Sequence, residues 1–151
     1  MLALALVIGI VAGLRAMTAP AAVAWAAAAG ALTLDGSPLL FLGWRFTPWV
    51  LSLLAGAELI TDQLPSTPSR KVPVQFGTRI VTGALCGAAV GLDQGSAAAG
   101  LALGVVGAVI GTLGGASVRG RMAAAFGSDR PAALIEDAVA IGLAAFVACS
   151  V

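Results

Sequence analysis

Long apolar segments separated by short polar stretches dominate the chain. A helix needs about 20 mostly apolar residues, and at least roughly 17, to cross a bilayer core. Five segments reach this range: Leu2–Ala27, Pro48–Leu64, Phe76–Leu92, Ala97–Val118 and Ala132–Val151. The pattern therefore predicts an all-α fold, a polytopic helical membrane protein with about five transmembrane helices. We expect a single transmembrane domain over residues 1–151.

The segment Leu32–Thr47, between the first two apolar segments, differs from the other connections. It contains the turn signal Asp35-Gly36-Ser37-Pro38. Its aromatic residues Phe41 and Trp44 predict that it lies along the membrane interface rather than in water.

The composition agrees with a membrane protein. Of the 151 residues, 60% are hydrophobic and only 10% are charged, whereas a soluble domain carries about 25% charged residues. The net charge of +1 gives no reason to expect nucleic acid as a partner. Histidine is absent, and Cys86 and Cys149 are isolated. The chain therefore shows no pattern typical of a metal site or a disulfide framework.

The positions of lysine and arginine predict the orientation of the helices. The loops after the second and fourth segments hold most of the cations, namely Arg70, Lys71, Arg79, Arg119, Arg121 and Arg130. By the positive-inside rule these loops are cytoplasmic, which places the N-terminus inside and the C-terminus outside. The three tryptophans Trp25, Trp44 and Trp49 would then lie at the outer interface, where such rings anchor a protein.

Glycines recur every fourth residue in two segments. The third segment places Gly83, Gly87 and Gly91 after Arg79, and the fourth places Gly107, Gly111 and Gly115 before Arg119. A four-residue step keeps such positions on one helical face, where small residues let helices approach closely in lipid. The two ladders are mirror images, as an antiparallel hairpin would require. Further small faces are formed by Gly100 with Gly104 and by Gly9 with Gly13.

These small faces fit either tight packing within one monomer or a seam between two copies. We expect a homodimer, because five short helices enclose little volume alone.

Arg15 lies near the middle of the first segment. An arginine at a helix centre costs roughly 2.5–3.5 kcal/mol on insertion scales, so its side chain should face the bundle or water. Pro20 removes an amide donor and clashes one turn back, which predicts a break in the helix. Broken helices beside charges form binding sites in many transporters. The alternative is a simple proline kink in which Thr18 satisfies a carbonyl.

Glu58 and Asp62 lie one turn apart on the second segment. Glu58 is about 15 Å from the outer end of its helix, at the same predicted depth as Arg15. An ion pair between Arg15 and Glu58 is therefore predicted.

Glu136 and Asp137 lie near the start of the fifth segment, about 7 Å from its cytoplasmic end. Arg119 and Arg121 are their expected partners, although acids in a first helical turn also suit the helix dipole. The deep carboxylates outnumber the deep cations. A surplus acid could hold a proton or a metal cation, or the arginines could clamp an anionic group, and the sequence leaves both open.

The loop after the second segment is rigid and polar. Its residues Ser69, Arg70 and Lys71 could receive a lipid headgroup, or the loop could merely set the topology. The chain contains no nucleophile elbow, no phosphate-binding glycine loop and no Cys/His pair. We therefore predict neither an enzyme nor a cofactor.

Several stretches of the chain resemble a widespread bacterial family of membrane proteins, the domain of unknown function 4126. They are Gly13–Thr18, Glu58–Arg70, Gly111–Gly115 and Glu136–Asp137. The chain departs from the family at Gln63, where a lysine is expected. The resemblance implies an integral protein of the bacterial inner (plasma) membrane and supplies no substrate.

We expect a protein of the lipid bilayer that moves a small solute or ion through a polar path. The predicted pathway consists of Arg15, Thr18, Glu58, Asp62, Arg119, Glu136 and Asp137. One alternative is a structural or lipid-binding module without transport. The other is a membrane-embedded enzyme acting on lipid.

Overall fold

The computed structural model describes residues 2–64, 69 and 71–151, and within these ranges the chain is all-α. The predicted fold class is confirmed at this level. The helices are α1 (Leu2–Leu14), α2 (Thr18–Ala28), α3 (Thr47–Thr61), α4 (Pro73–Asp93), α5 (Ala97–Phe126) and α6 (Asp129–Ser150). A short 3-10 helix (Leu40–Gly43) lies between α2 and α3.

The first predicted segment forms two helices. α1 ends at Leu14 and α2 begins at Thr18, so the residues from Arg15 to Met17 lie outside both helices. Pro20 falls in the first turn of α2, where backbone amides have no partner within the helix anyway. The predicted break is confirmed. The alternative of a kink closed by Thr18 is wrong, because its buried hydroxyl has no hydrogen-bond partner among the described residues.

Glycines pack α5 between α1 and α4. A methyl group on Gly9 or Gly13 of α1 would overlap the backbone of α5. The same holds where Gly87 of α4 meets Gly100 and Gly104 of α5. Close backbone approach of this kind is how helices associate in lipid. α5 therefore joins the bundle mainly through backbone contacts at glycine, while the buried apolar core is formed by side chains of α1, α2, α4 and α6 and of the connection after α2.

α4 and α5 pack as an antiparallel hairpin, but the two mirrored ladders do not meet each other. Gly83, Gly87 and Gly91 pack on Gly100 and Gly104. The second ladder of α5 faces α1 instead, as the contacts of Gly107 and Gly111 show. The three-residue step from Gly104 to Gly107 turns the helix face by about 60°, so the two sets meet different neighbours. Because these faces are occupied within one chain, the homodimer stays a prediction and would need another surface.

The helices differ in how well they suit a membrane span. Among the described residues, α5 and α6, with 30 and 22 residues, are the two helices that are both long and apolar enough to cross a bilayer. α1, α2 and α3 are apolar but shorter. The number of five transmembrane helices therefore stays a prediction.

The antiparallel pair of α2 and α3 separates an aromatic end from a charged end. At one end the rings of Trp25 and Trp49 meet edge to face, with 5.0 Å between their centroids. At the other end Glu58 reaches the start of α2 at Met17. The break in the first helix thus lies at the charged end.

Candidate functional site at the helix break

Glu58 closes the N-terminus of α2. Its two carboxylate oxygens accept hydrogen bonds from the backbone amides of Ala16 and Met17, each at 2.8 Å. The first amides of a helix have no internal acceptor, and the positive end of the helix dipole favours an anion there. The break therefore supplies the donors that this carboxylate on α3 satisfies.

Arg79 closes the other side of the break, at the C-terminus of α1. Its Nη1 donates to the carbonyl oxygens of Gly13 and Leu14, at 2.9 and 2.7 Å. Its Nη2 lies 3.6 Å from Glu58 Oε1 and 3.7 Å from Asp62 Oδ2. A buried cation thus binds the negative end of α1 and the acids that approach from α3.

Arg79 is a site residue that the sequence analysis missed, because it was assigned to a cytoplasmic loop. One signal could have identified it. Arg79 lies four residues before Gly83, so it shares the face that packs on α5. An arginine on a packing face must point into the bundle, and only 2% of its side chain is exposed.

Arg15 forms the centre of the charged cluster and is fully buried. Its Nε donates to Asp137 Oδ1 at 2.6 Å. Its Nη1 pairs with Asp62, and its Nη2 lies in ion-pair range of Asp137 and 3.9 Å from Glu136 Oε2. One guanidinium therefore joins α3 to α6.

The predicted ion pair between Arg15 and Glu58 is wrong, because each side chain has other partners. The unwound turn presents the amides of Ala16 and Met17 to Glu58. The side chain of Arg15 instead reaches Asp62 and α6. Counting residues along the helices correctly placed Arg15 and Glu58 at a similar depth. It could not show which atoms of the unwound turn face α3.

Arg119 extends the cluster towards the α5–α6 turn. Its Nη1 lies 3.4 Å from Glu136 Oε2, so this predicted contact is confirmed. Its Nε donates to Asp129 Oδ1 at 2.9 Å, and its Nη2 to the Asp62 carbonyl at 3.3 Å. Arg121 is exposed and makes no ion pair within the described ranges, so its predicted pairing is wrong.

The structure brings most of the predicted pathway residues into one network. It joins Arg15, Glu58, Asp62, Arg119, Glu136 and Asp137, with Arg79 added. Thr18 is buried at the start of α2 beside the break.

The predicted lipid-headgroup residues are not part of this network in the described chain. Ser69 and Lys71 are exposed, and their described contact is local, from the Lys71 amide to Ser69 Oγ at 3.3 Å. Arg70 lies outside the described residues. The headgroup site therefore stays a prediction.

A cleft of about 600 Å³ opens beside the break. Its polar lining consists of Glu58, Thr61, Asp62, Gln75 and Thr78. The side chains of Glu58 and Asp62 are 13% and 16% exposed, whereas the arginines behind them are almost completely buried. The accessible surface of the network is therefore acidic, and it suits a cation or a proton.

Comparisons with known proteins provide no further guide to the function of this site. The chain matches no protein-family model, no curated protein and no solved structure. The resemblance to the bacterial membrane family therefore stays a prediction, and function must be inferred from the geometry.

Replacing Arg79 with lysine tests its role at the break. An ammonium group is a point donor and lacks the fixed fork of a guanidinium, so it cannot hold two carbonyls and reach two carboxylates together. We expect Arg79→Lys to lower the stability by about 1–3 kcal/mol, measured by thermal unfolding in detergent. Arg121→Lys, at an exposed position, is the matched control. Equal stability of the two variants would show that Arg79 does not secure the break.

Proposed function

We propose that this chain is an integral membrane protein that moves a small cation or protons through a path that begins at the cleft beside the helix break. One observation carries the proposal. Glu58 and Asp62 are partly exposed in the cleft, while their other contacts reach both ends of the broken helix. Many transporters bind their substrates and coupling ions at discontinuous helices of this kind.

The outer surface of α5 and α6 supports a location in the membrane. Large apolar side chains there are about half exposed, as in Ile110 at 50% and Phe146 at 57%. Apolar patches of this extent on a monomer usually contact a partner or lipid. In the proposed arrangement α1 and α2 together form the first of five spans, and α3 to α6 form the others. The N-terminus would be cytoplasmic.

The charges favour a cation over an anion. Arg15 is occupied by carboxylates of α3 and α6, and Arg79 by carbonyls of α1. Both guanidinium groups lie behind the acids, so an anion entering the cleft would meet Glu58 and Asp62 first. The negative charges of Glu58 and Asp62 would repel such an anion.

A structural or lipid-binding module is the second candidate. An apolar groove of about 330 Å³ between α1, α5 and α6 includes Arg119 and Glu136 in its lining, and such a groove could hold an acyl chain. In that case the ion pairs of the break would serve only to join the helices.

The variant Glu58→Gln separates transport from a structural role. Glutamine keeps the shape and one acceptor for the α2 amides but loses the charge that would bind a cation. We expect proton or monovalent-cation flux per folded protein in reconstituted vesicles to fall at least about tenfold. The stability should fall by about 1–3 kcal/mol, because one amide loses its acceptor and Arg79 loses an ion pair, so flux is compared at equal amounts of folded protein. Tenfold corresponds to about 1.4 kcal/mol, which is modest for a charge removed from a cation site.

The control for this experiment is Asp93→Asn, which alters an exposed carboxylate at the far end of α4 and should leave flux unchanged. Unaltered flux in Glu58→Gln would exclude the cleft as the path. No flux of any tested ion or solute through the wild-type protein, with Glu58→Gln less stable than Asp93→Asn, would favour the structural or lipid-binding module.

A further inference from the structure

A third concave site, distinct from the cleft and the apolar groove, lies at the aromatic end of the molecule, where the connection between α2 and α3 folds beside the end of α2. Its volume is about 670 Å³, within the range typical of small-molecule sites. Asp35, Phe41 and Trp44 provide its charged and aromatic lining. We call it the aromatic cavity. The path proposed above, at the opposite end of α2, does not use it.

The walls of the aromatic cavity are held in place by packing on the apolar core. Leu32 and Leu34 line the cavity and are buried in the apolar core, as is Leu42 beside the lining residues Phe41 and Gly43. Thr47 secures the rim, because its Oγ1 donates to the Phe41 carbonyl at 2.7 Å. The connection is therefore fixed in place by apolar packing and by a hydrogen bond.

The lining combines one negative charge with exposed aromatic rings. Phe41 is 51% exposed and Trp44 is 66% exposed. Asp35 is exposed and has neither an ion pair nor a side-chain hydrogen bond among the described residues. Aromatic faces attract cations, and quaternary ammonium groups are the ligands that such surfaces recognise.

The protein's own cation nearby does not satisfy this surface. The guanidinium of Arg45 lies 5.8 Å from the ring centroid of Phe46, and neither residue lines the cavity. No lysine or arginine of the described chain belongs to the lining. The charge of Asp35 is thus available to a ligand.

We propose that the aromatic cavity binds an organic cation bearing a quaternary ammonium group, with Asp35 supplying the counter-charge and Phe41 and Trp44 supplying the ring faces. The ammonium group could belong to a free solute or to a lipid headgroup, since both present the same chemistry. The proposal concerns binding at this cavity and does not require transport through the cleft.

Calorimetric titration of the full chain in detergent tests the proposal, with choline as the probe and its neutral isostere 3,3-dimethyl-1-butanol as the comparison. We expect choline to bind at least about tenfold more tightly than the isostere, because the two differ only in charge at nearly equal shape. Asp35→Asn should weaken choline binding about tenfold and leave the isostere unaffected. Trp44→Leu should also weaken choline binding.

The matched controls are Asp93→Asn and Trp49→Leu, which alter an exposed acid and an exposed tryptophan outside the cavity. Both should bind choline as the wild type does, and all variants should retain the helical circular dichroism of the folded protein. Equal affinity for choline and its isostere, or wild-type affinity in Asp35→Asn, would overturn the proposal.

Nanodiscs distinguish the two sources of the ammonium group. In phosphatidylglycerol nanodiscs choline should bind in either case. In phosphatidylcholine nanodiscs its binding disappears if the lipid headgroup occupies the cavity, and persists if the ligand is a free solute. Absence of choline binding in both detergent and phosphatidylglycerol nanodiscs contradicts the proposal. Because no flux is measured, this result is independent of the vesicle experiment on Glu58.

Discussion

Replacing Arg15 with methionine is expected to lower the stability of the fold by about 3–5 kcal/mol. Methionine fills part of the same volume but leaves Asp62 and Asp137 without the cation that now pairs with both. Arg15 is fully buried and Asp137 is buried, so water cannot replace the contact between them. Removing one member of a buried ion pair is far more damaging than replacing the whole pair, because an uncompensated charge remains.

Thermal unfolding in detergent, followed by helical circular dichroism, measures this effect. Arg121→Met at an exposed position is the control and should change the stability little. A variant that combines Arg15→Met with Asp62→Asn and Asp137→Asn should recover much of the loss, since it removes the unpaired charges as well. If Arg15→Met is as stable as Arg121→Met, the ion pairs do not hold the break together.

Adding a single methyl group at Gly104 should have the second large effect. A Cβ at this position would overlap the carbonyl of Gly83 and lie 3.0 Å from the α-carbon of Gly87. Both are backbone atoms of α4, which cannot move aside as a flexible side chain can. We expect Gly104→Ala to destabilise the protein by about 1–3 kcal/mol or more through overpacking. Helix propensity alone would predict the opposite change in stability, because alanine stabilises a helix interior by about 0.5–1 kcal/mol relative to glycine.

Two glycines offer matched controls for Gly104→Ala. A Cβ on Gly114 in α5 or on Gly142 in α6 would meet no atom within 4 Å. Alanine at either position should therefore be neutral or slightly stabilising. Thermal unfolding of the three variants under one condition makes the comparison. Equal stability of all three would mean that α4 and α5 are not in close backbone contact at Gly104.

The break in the first helix could be predicted because its causes are local. A charge in the middle of an apolar helix and a proline five residues later both act within one or two turns. The contact between Arg119 and Glu136 was predictable for a related reason, since both lie close to the short α5–α6 turn. Short connections leave few alternative partners.

The partners of Arg15 and Arg79 could not be predicted in the same way. Counting residues along each helix gives the depth of a side chain, but not the neighbour that each helix face meets. Arg15 and Glu58 do lie at a similar depth. In the unwound turn, however, Glu58 accepts hydrogen bonds from two backbone amides, and the side chain of Arg15 pairs with Asp62 and Asp137. An arginine at the start of α4 looked like a loop residue until its helix was seen to pack on α1 and α5.

By itself the sequence determined the all-α fold, the break before α2 and most of the ionisable residues around it, Arg79 excepted, because long apolar segments, proline and charge at depth are local properties of the chain. Only the tertiary structure decided which glycine ladder meets which helix and which acid neutralises which arginine. Those choices depend on the rotation of each helix about its axis, which is settled by the packing of all the helices together.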